Sequence, residues 1–279
     1  MENFTSFVCD LNIVNESYRL AVGTVFENIL PFKDGLLKKE KPCLMAGLDY
    51  DTPWTRDTAI NVWNALALLS PEVSKNTLLS VLIKENGDIR IGGQYWDAII
   101  WTIGAYHYYK VTLDEEFFDV MFEAIKNSLK YFEDTEFDKE KNLFRGAAVY
   151  GDGVAAYPDK YTNENKDPRV WAWQDNHPKE RFPVGFGLPM FALSTNCVYY
   201  EAYRIFAEIC KIANKPYADY EKKADDLKKA INVNFWNEKK GSFDYLAGEC
   251  DYQEGLGISF LLLFDIADNI KKNKIFENI

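Results

Sequence analysis

Helix-length segments of two kinds alternate along the chain. Residues 54–69, WTRDTAINVWNALALL, have no polar residue beyond Ala59 except Asn61 and Asn64, so we expect a helix that protein covers nearly all round. Residues 71–85, PEVSKNTLLSVLIKE, are amphipathic, which is typical of a helix with one face in water. The pattern therefore predicts an inner helix followed by an outer one.

The same alternation recurs twice. Residues 95–109 carry no charge after Asp97, whereas residues 114–133 have apolar side chains at helical spacing. A third pair combines the largely apolar residues 191–213 with the amphipathic residues 217–236. The apolar stripes of these two outer helices consist of Phe118, Met121, Phe122, Ile125, Leu129 and Phe132, and of Tyr220, Ala224, Leu227 and Ile231.

These pairs predict a fold of repeated helical hairpins. With a first helix over 16–30 and a further inner helix over 257–268, the chain has about eight helices, or about four hairpins. Hairpins of this kind close into a double ring of helices, the α/α toroid. We predict one all-α domain over 1–279, an (α/α)6-toroid-like fold left incomplete because its last inner helix precedes no predicted outer helix. A helical solenoid is the alternative, but the units are too irregularly spaced for one.

One region interrupts the helical pattern. Residues 142–190 are rich in glycine, proline and β-forming residues, which predicts short strands and loops. Loops of this length inside a compact domain are usually functional or mobile, and the many aromatic residues argue against disorder.

Composition limits the classes of function. The 279 residues are 47% hydrophobic and 15% aromatic, enough for a large core. A net charge of −11 repels phosphates and anionic lipid, so neither nucleic acid nor a membrane is an expected partner. No export signal opens the sequence, and its apolar runs are too short to cross a bilayer. We expect a soluble, cytoplasmic protein; an export signal removed ahead of Met1 is the alternative, and the oligomeric state stays open.

Cysteine and histidine are scarce. The cysteines are odd in number, widely spaced and never in a C-x-x-C pair, so we expect small buried hydrophobic side chains, not a disulfide framework or a zinc site. They are Cys9, Cys43, Cys197, Cys210 and Cys250. Two histidines, His107 and His177, provide little for an imidazole metal site or a catalytic triad. No metal and no cofactor is predicted.

Polar residues gather where the first inner helix begins. Trp54 and Asp57 are three positions apart, so both can project from the first turn, with Arg56 beside them. A carboxylate and a guanidinium can bind adjacent hydroxyls, and an aromatic ring can stack on a sugar. The alternative is that Asp57 stabilises the helix N-terminus and pairs with Arg56.

A second set of such residues begins the next apolar helix. In GGQYWDAIIW, Trp96 and Asp97 follow the turn Gly92-Gly93. Two sets of this kind indicate a shared cavity. The alternative is that Trp96 packs in the core and the glycines form an ordinary turn.

The third candidate lies in the segment YGDGVAAYPDKY. Glycines flank Asp152 and let backbone approach a ligand closely, while Asp159 is its rival seven positions later. Asp-Gly is also a common turn signal. Tyr157, Trp171 and Trp173 are candidates for stacking on further sugar units.

Taken together, these segments resemble the six-hairpin glycosidases. That clan contains trehalases, glucoamylases, bacterial α-rhamnosidases and the α-glucosidase and mannosylglycerate hydrolase group of glycoside hydrolase family 63; trehalases and family 63 are the nearest. The matching pieces are WTRD, QYWDAIIWTIGAYHYYKVTLDEEF, the Asp-Gly segment and STNCVYYEAYRIFAEICKIANK, in this order. They cover most of the chain from about residue 45 onward.

The resemblance implies a fold, an activity and roles for residues. It implies an inverting glycosidase acting on an α-glucoside-like substrate, with Asp152 as general acid and Asp159 as the second choice. Trp54, Arg56 and Asp57 would bind the sugar whose bond breaks. The clan's general base is a Glu beyond the eighth helix, and this chain ends before that position; Glu249 and Glu254 lie too early to match it.

Two other functions stay open. A chain with a sugar pocket and no general base could bind carbohydrate without cleaving it. A sugar epimerase or isomerase of the same toroid fold is the other alternative, although such enzymes use histidines as acid and base, and this chain has two.

Overall fold

The computed structural model describes residues 7–150, 157–161, 188–248, 250 and 252–277. The chain folds into two compact units. The first unit consists of Met1–Gly93 and Ile100–Asn127, and the second of Gln94–Ile99 and Ser128–Ile279. A single domain over the whole chain stays a prediction.

A helix followed at once by a two-stranded antiparallel hairpin is the repeated element of the described chain. The hairpins are Ile29–Phe32 with Lys41–Leu44, Leu82–Glu85 with Asp88–Ile91, Phe137–Asp138 with Leu143–Phe144, and Trp236–Asn237 with Ser242–Phe243. The helices that precede them are Asn12–Glu27, Pro71–Ser80, Glu115–Thr135 and Ala218–Asn234.

A more buried helix comes after each hairpin. These helices begin at Thr55, Tyr95, Leu193 and Gly255. The first comprises Thr55–Asn61, a π-helical turn Val62–Leu66 and Ala67–Leu69; the second comprises Tyr95–Ala98 and Trp101–Thr112; the others are Leu193–Ile212 and Gly255–Leu263. Alternating outer and inner helices agree with the predicted all-α hairpin pattern.

In the first unit, two inner helices approach each other closely at a glycine. A Cβ added to Gly104 would lie 2.7 Å from the carbonyl oxygen of Ala59, so the backbone of Trp101–Thr112 lies directly against Thr55–Asn61. The indole of Trp101 is fully buried and donates a 3.1 Å hydrogen bond to the carbonyl oxygen of Leu78. These contacts explain the apolar side chains where the two helices meet. The expectation that protein covers the first inner helix nearly all round is wrong, because Leu68 is 61% exposed and Asn64 is also exposed.

The predicted outer helix over 71–85 is wrong in its second half. The helix ends at Ser80, and Leu82–Glu85 pairs with Asp88–Ile91. Asn86 and Gly87 connect the strands with φ of 52° and 93°, the left-handed values that a two-residue hairpin turn requires. This Asn-Gly turn overrides the helical pattern of the preceding residues.

The outer helix Glu115–Thr135 confirms its predicted stripe. Phe118, Met121, Ile125, Leu129 and Phe132 are all at most 7% exposed. Phe122, the sixth predicted member, is half-buried. The helix is therefore amphipathic as the spacing indicates.

In the second unit, Leu193–Ile212 is buried on nearly every side, as predicted. It packs against Ala218–Asn234 and Gly255–Leu263. The predicted stripe of Ala218–Asn234 is confirmed at Ala224, Leu227 and Ile231, which are at most 3% exposed, whereas Tyr220 is half-buried.

Further differences concern the ends of the helical pattern. The first helix is Asn12–Glu27 instead of 16–30, because Ile29–Phe32 is a strand. A helix at Asn269–Glu277 follows the inner helix Gly255–Leu263, and the hydrophobic pattern does not predict it. In the described part of 142–190, the expected short strand and loops are present, with one turn of 3-10 helix at Asp159–Tyr161.

All five cysteines are free thiols. Cys43, Cys197 and Cys210 are buried as predicted, whereas Cys9 and Cys250 are half-buried. Among the residues that the structure describes, no helix is long and apolar enough to cross a bilayer.

Candidate functional site

The first set of polar residues lies in the first unit, at the start of the helix Thr55–Asn61. Trp54 occupies the N-cap position and is 53% exposed, so its ring is available to a ligand. Its carbonyl oxygen accepts the first helical hydrogen bond from Thr58 at 2.8 Å. Arg56 and Asp57 are half-buried in the first turn. Carboxylate, guanidinium and an open aromatic face are thus present at one helix end.

The glycine pair Gly92-Gly93 packs against this helix start. The Thr55 hydroxyl donates a 2.9 Å hydrogen bond to the carbonyl oxygen of Gly92. Gly93 has φ +99°, and a Cβ there would lie 2.7 Å from the Thr55 hydroxyl oxygen. These glycines are therefore a close backbone contact within the first unit, which is more than an ordinary turn requires.

The second set, Trp96 and Asp97, lies in the second unit and is buried. Trp96 is 0% exposed, and its ring meets the ring of Tyr95 edge-on at 5.3 Å. Asp97 is 4% exposed, in the first turn of Tyr95–Ala98. Burial raises the pKa of Tyr199 well above its usual value, and the nearby carboxyls of Glu136 and Asp97 raise it further. Asp97 and Tyr199 are thus both buried side chains of the second unit.

A glycine also makes room for Trp96. A Cβ on Gly146 would lie 2.7 Å from the Cβ of Trp96. The segment after the strand Leu143–Phe144 thus passes directly over this tryptophan. The Trp96 ring is enclosed by protein. Its role in binding a sugar stays a prediction.

Of the third set of candidate residues, the structure describes Tyr157 and Asp159. Asp152, Trp171 and Trp173 lie outside the described residues, as do His177 and Glu249. Tyr157 is 6% exposed, and its hydroxyl accepts a 3.0 Å hydrogen bond from the backbone N–H of Ala148. Asp159 is exposed in a 3-10 turn. Within the second unit, Tyr157 therefore holds backbone that precedes Asp152 by four positions.

Glu254 is a further candidate that sequence reasoning set aside. It is half-buried at the N-cap position of the helix Gly255–Leu263. Its Oε2 accepts a 3.0 Å hydrogen bond from the backbone N–H of Ser194. Burial raises the pKa of Glu254 to about 7, and hydrogen bonds from Ser194 lower it by a smaller amount. A carboxyl with this pKa can hold or release a proton near neutral pH.

A signal for Glu254 was present in the chain. Trp54, Asp97 and Asp152 each follow one of the first three hairpins, and Glu254 follows the fourth hairpin at the start of the next inner helix. Recognising the helix–hairpin repeat would have placed Glu254 in the same series. The expected position of the clan's general base does not identify Glu254, because that position lies later in the chain.

The described residues offer carboxyls at three inner-helix starts: Asp57, Asp97 and Glu254. Within those residues, no three His, Cys, Asp or Glu side chains gather as metal ligands would. The arrangement suits binding of hydroxyl groups and proton transfer. A shared basin for Asp57, Asp97 and Asp152 stays a prediction, because the first two belong to different units and the third is not described.

Solved glycosidase structures share the fold of this chain. A rhamnosidase from Klebsiella oxytoca with rhamnose bound matches with a TM-score of 0.63 at 10% identity, over 99% of this chain and 49% of its own. A family GH78 rhamnosidase of Bacillus sp. GL1 matches with a TM-score of 0.64 at 12% identity, over 99% and 27%. The neutral trehalase of Saccharomyces cerevisiae matches with a TM-score of 0.58 at 12% identity, over 90% and 58%.

The chain thus spans less than two thirds of the length of these structures. Their similarity confirms the toroid glycosidase fold expected from the resemblance. No curated protein sequence matches the chain significantly. The family model of the mannosylglycerate hydrolase MGH1-like glycoside hydrolase domain matches residues 99–269, more than half of the chain. The chain belongs to this family of MGH1-like glycoside hydrolase domains.

Proposed function

We propose that the chain is part of a glycoside hydrolase that inverts the configuration of an α-linked, glucoside-like substrate. The observation that carries the proposal is the family match over residues 99–269, which includes Asp152, Tyr157 and Glu254. The polar residues at the starts of buried helices support it, because they are of the types that bind sugar hydroxyls and stack on sugar rings.

The proposed mechanism uses two carboxyls on opposite sides of the glycosidic bond. Asp152 protonates the leaving oxygen, and a second carboxylate activates water, the two standing roughly 6.5 to 9.5 Å apart in inverting enzymes. Asp159 is the second choice for the acid.

Substrate binding is assigned to the remaining candidates. Arg56 and Asp57 bind neighbouring hydroxyls of the terminal sugar, and Trp54 stacks on its apolar face. Asp97 binds a further hydroxyl, with Trp96 supporting its helix turn. Tyr157, Trp171 and Trp173 line further sugar subsites.

The experiment compares Asp152→Asn with Asp159→Asn on a panel of glycosides. The panel contains trehalose, other α-glucosides, α-rhamnosides and mannosylglycerate. Asp152→Asn should lower kcat by about 10²- to 10⁴-fold and keep sugar affinity, because it removes the proton donor and little of the binding surface. Asp159→Asn is the matched control and should keep wild-type turnover.

Proton NMR of the first product identifies the mechanism, since an inverting enzyme releases the opposite anomer. Wild-type turnover in Asp152→Asn would contradict the assignment of the acid. Wild-type protein that binds sugars and cleaves none of the panel would favour the carbohydrate-binding alternative. Recovery of an isomer in place of a hydrolysis product would favour the epimerase alternative.

A further inference from the structure

Three consecutive side chains at the start of Leu193–Ile212 bind backbone between the strand residue Phe144 and Val149. Ser194, Thr195 and Asn196 are all 0% exposed. The Asn196 side chain accepts a 2.8 Å hydrogen bond from the backbone N–H of Phe144. It donates a 3.0 Å hydrogen bond to the backbone carbonyl oxygen of Phe144. It also donates to the carbonyl oxygen of Ala192 at 2.9 Å. Asn196 therefore pairs with Phe144 as a neighbouring strand would.

Thr195 and Ser194 continue this pairing along the chain. The Thr195 hydroxyl contacts the carbonyl oxygens of Ala147 and Trp96, the second at 3.2 Å. The Ser194 hydroxyl oxygen accepts a 3.0 Å hydrogen bond from the backbone N–H of Val149. Buried backbone must be hydrogen-bonded, and here polar side chains bind the backbone of Phe144, Ala147 and Val149. The N–H groups of Arg145 and Gly146 donate instead to the backbone carbonyl oxygens of Glu136 and Met190.

Glu254 completes the chain of hydrogen bonds. Its Oε2 accepts a hydrogen bond from the Ser194 backbone N–H. Ser194 thus connects two groups: its hydroxyl oxygen accepts a hydrogen bond from the Val149 N–H, and its own backbone N–H donates one to the Glu254 carboxyl.

The fold makes room for this carboxyl at Gly257. A Cβ there would lie 2.6 Å from the Glu254 Oε2 and 3.0 Å from Leu193. Any larger residue would displace the carboxyl from Ser194. The contact is thus built from the starts of two inner helices and one glycine.

We propose that Glu254 is a positioning residue that, through Ser194, holds the backbone at Val149, three positions ahead of Asp152. The inference rests on the proposed function, which assigns Asp152 as the acid. Thr195 extends the same support to the carbonyl oxygen of Trp96, next to Asp97. We refer to Glu254, Ser194 and Val149 as the Glu254 relay.

The test compares Glu254→Gln, Glu254→Met and Ser194→Ala. Gln keeps an oxygen that accepts from Ser194, whereas Met has a similar size and no such oxygen. Ser80→Ala is the matched control, because Ser80 is also a buried serine but donates to Thr77 in the first unit. Two quantities are measured on the whole chain: hydrogen exchange of the Val149 amide, and kcat with KM on the glycoside that the wild type cleaves.

We expect Glu254→Met and Ser194→Ala to speed Val149 exchange by about tenfold or more, with Glu254→Gln and Ser80→Ala near wild type. The Phe235 amide, bonded to the Ile231 carbonyl oxygen, is the internal reference and should keep its exchange rate in all variants. In the same two variants kcat should fall by about tenfold or more while KM changes little, and Glu254→Gln should restore it.

Unchanged Val149 exchange in Glu254→Met overturns the relay, and so does faster exchange with unchanged kcat. If Glu254→Gln and Glu254→Met lower kcat and speed Val149 exchange by the same amount, the role of the accepting oxygen is overturned. Wild-type protein that cleaves no glycoside overturns the proposed function instead. In that case the exchange comparison alone decides the relay.

Discussion

The Thr55 hydroxyl donates a 2.9 Å hydrogen bond to the carbonyl oxygen of Gly92, 37 positions along the chain. This bond joins the start of the first inner helix to the turn that follows the second hairpin. The neighbouring Gly93 has φ +99° and no space for a side chain, since a Cβ would lie 2.7 Å from the same hydroxyl. Thr55 and Gly93 therefore determine how closely the two segments approach.

Gly93→Ala should destabilise the protein strongly. A left-handed backbone costs a residue with a Cβ about 1–2 kcal/mol, and forcing the methyl against Thr55 adds about 1–3 kcal/mol. Urea unfolding followed by circular dichroism measures the loss. Gly87→Ala is the control, because Gly87 has a similar φ of +93° but, within the part of the chain that the structure describes, no atom within 4 Å of an added Cβ. Equal losses in the two variants would show that the contact with Thr55 contributes nothing.

Glu254 should make the stability depend on pH. Its pKa is raised from 4.5 to about 7 on folding, so the folded state binds the proton more tightly than the unfolded state. The free energy of unfolding should fall as pH rises from about 4.5 to about 7, by at most about 3 kcal/mol for this group. Above pH 7 the contribution of Glu254 should be constant.

Glu254→Gln isolates this effect from other titrating groups. The variant should lose the slope assigned to Glu254, so its stability relative to wild type should rise between pH 5 and pH 8. Chemical unfolding of both proteins at these two pH values measures the difference. A difference that stays constant with pH would mean that Glu254 titrates as it does in the unfolded chain.

Asn196→Asp should destabilise the second unit. The Asn196 amide donates to the carbonyl oxygens of Phe144 and Ala192, and a carboxylate would face both with no proton to donate. We expect a loss of about 2–4 kcal/mol in the free energy of unfolding, smaller at acidic pH where the new Asp is protonated. Asn64→Asp is the control, since Asn64 is an exposed helical asparagine that donates to the Ile60 carbonyl oxygen. Equal effects of the two substitutions would refute the role given to Asn196.

Thiol labelling should separate the cysteines into two groups. Burial raises the pKa of Cys43 to about 11, and it raises the pKa of Cys197 and of Cys210 as well. Iodoacetamide at pH 8 should therefore modify Cys9 and Cys250 in the native protein and the other three only after unfolding. Peptide mass spectrometry identifies the labelled sites. Native labelling of Cys43 would contradict its burial.

Much of the helical pattern could be predicted from residue order. The stripe from Phe118 to Phe132 and the apolar surface of Leu193–Ile212 follow from spacing alone, because a helix brings residues three and four apart to the same face. The β-hairpins are harder to predict from the sequence. Each strand is four residues or fewer, and in Leu82–Glu85 the signal was the Asn86-Gly87 pair and not hydrophobicity.

The candidate site was predictable in part. Residue types at the starts of apolar helices pointed to Trp54, Asp57, Trp96 and Asp97. Nothing in their sequence distinguished the two tryptophans, yet Trp54 is 53% exposed and Trp96 is 0% exposed. That difference depends on what packs around each ring, which for Trp96 includes Gly146.

By itself, the sequence determined the all-α class, the alternation of inner and outer helices and the residue types that could bind a sugar. These depend on spacings of a few residues along one helix. Only the tertiary structure decided that Glu254 bonds Ser194, and that Ser194 in turn holds Val149. Those partners are 60 and 45 positions apart, and the burial that raises the pKa of Glu254 comes from packing between segments that are distant in sequence.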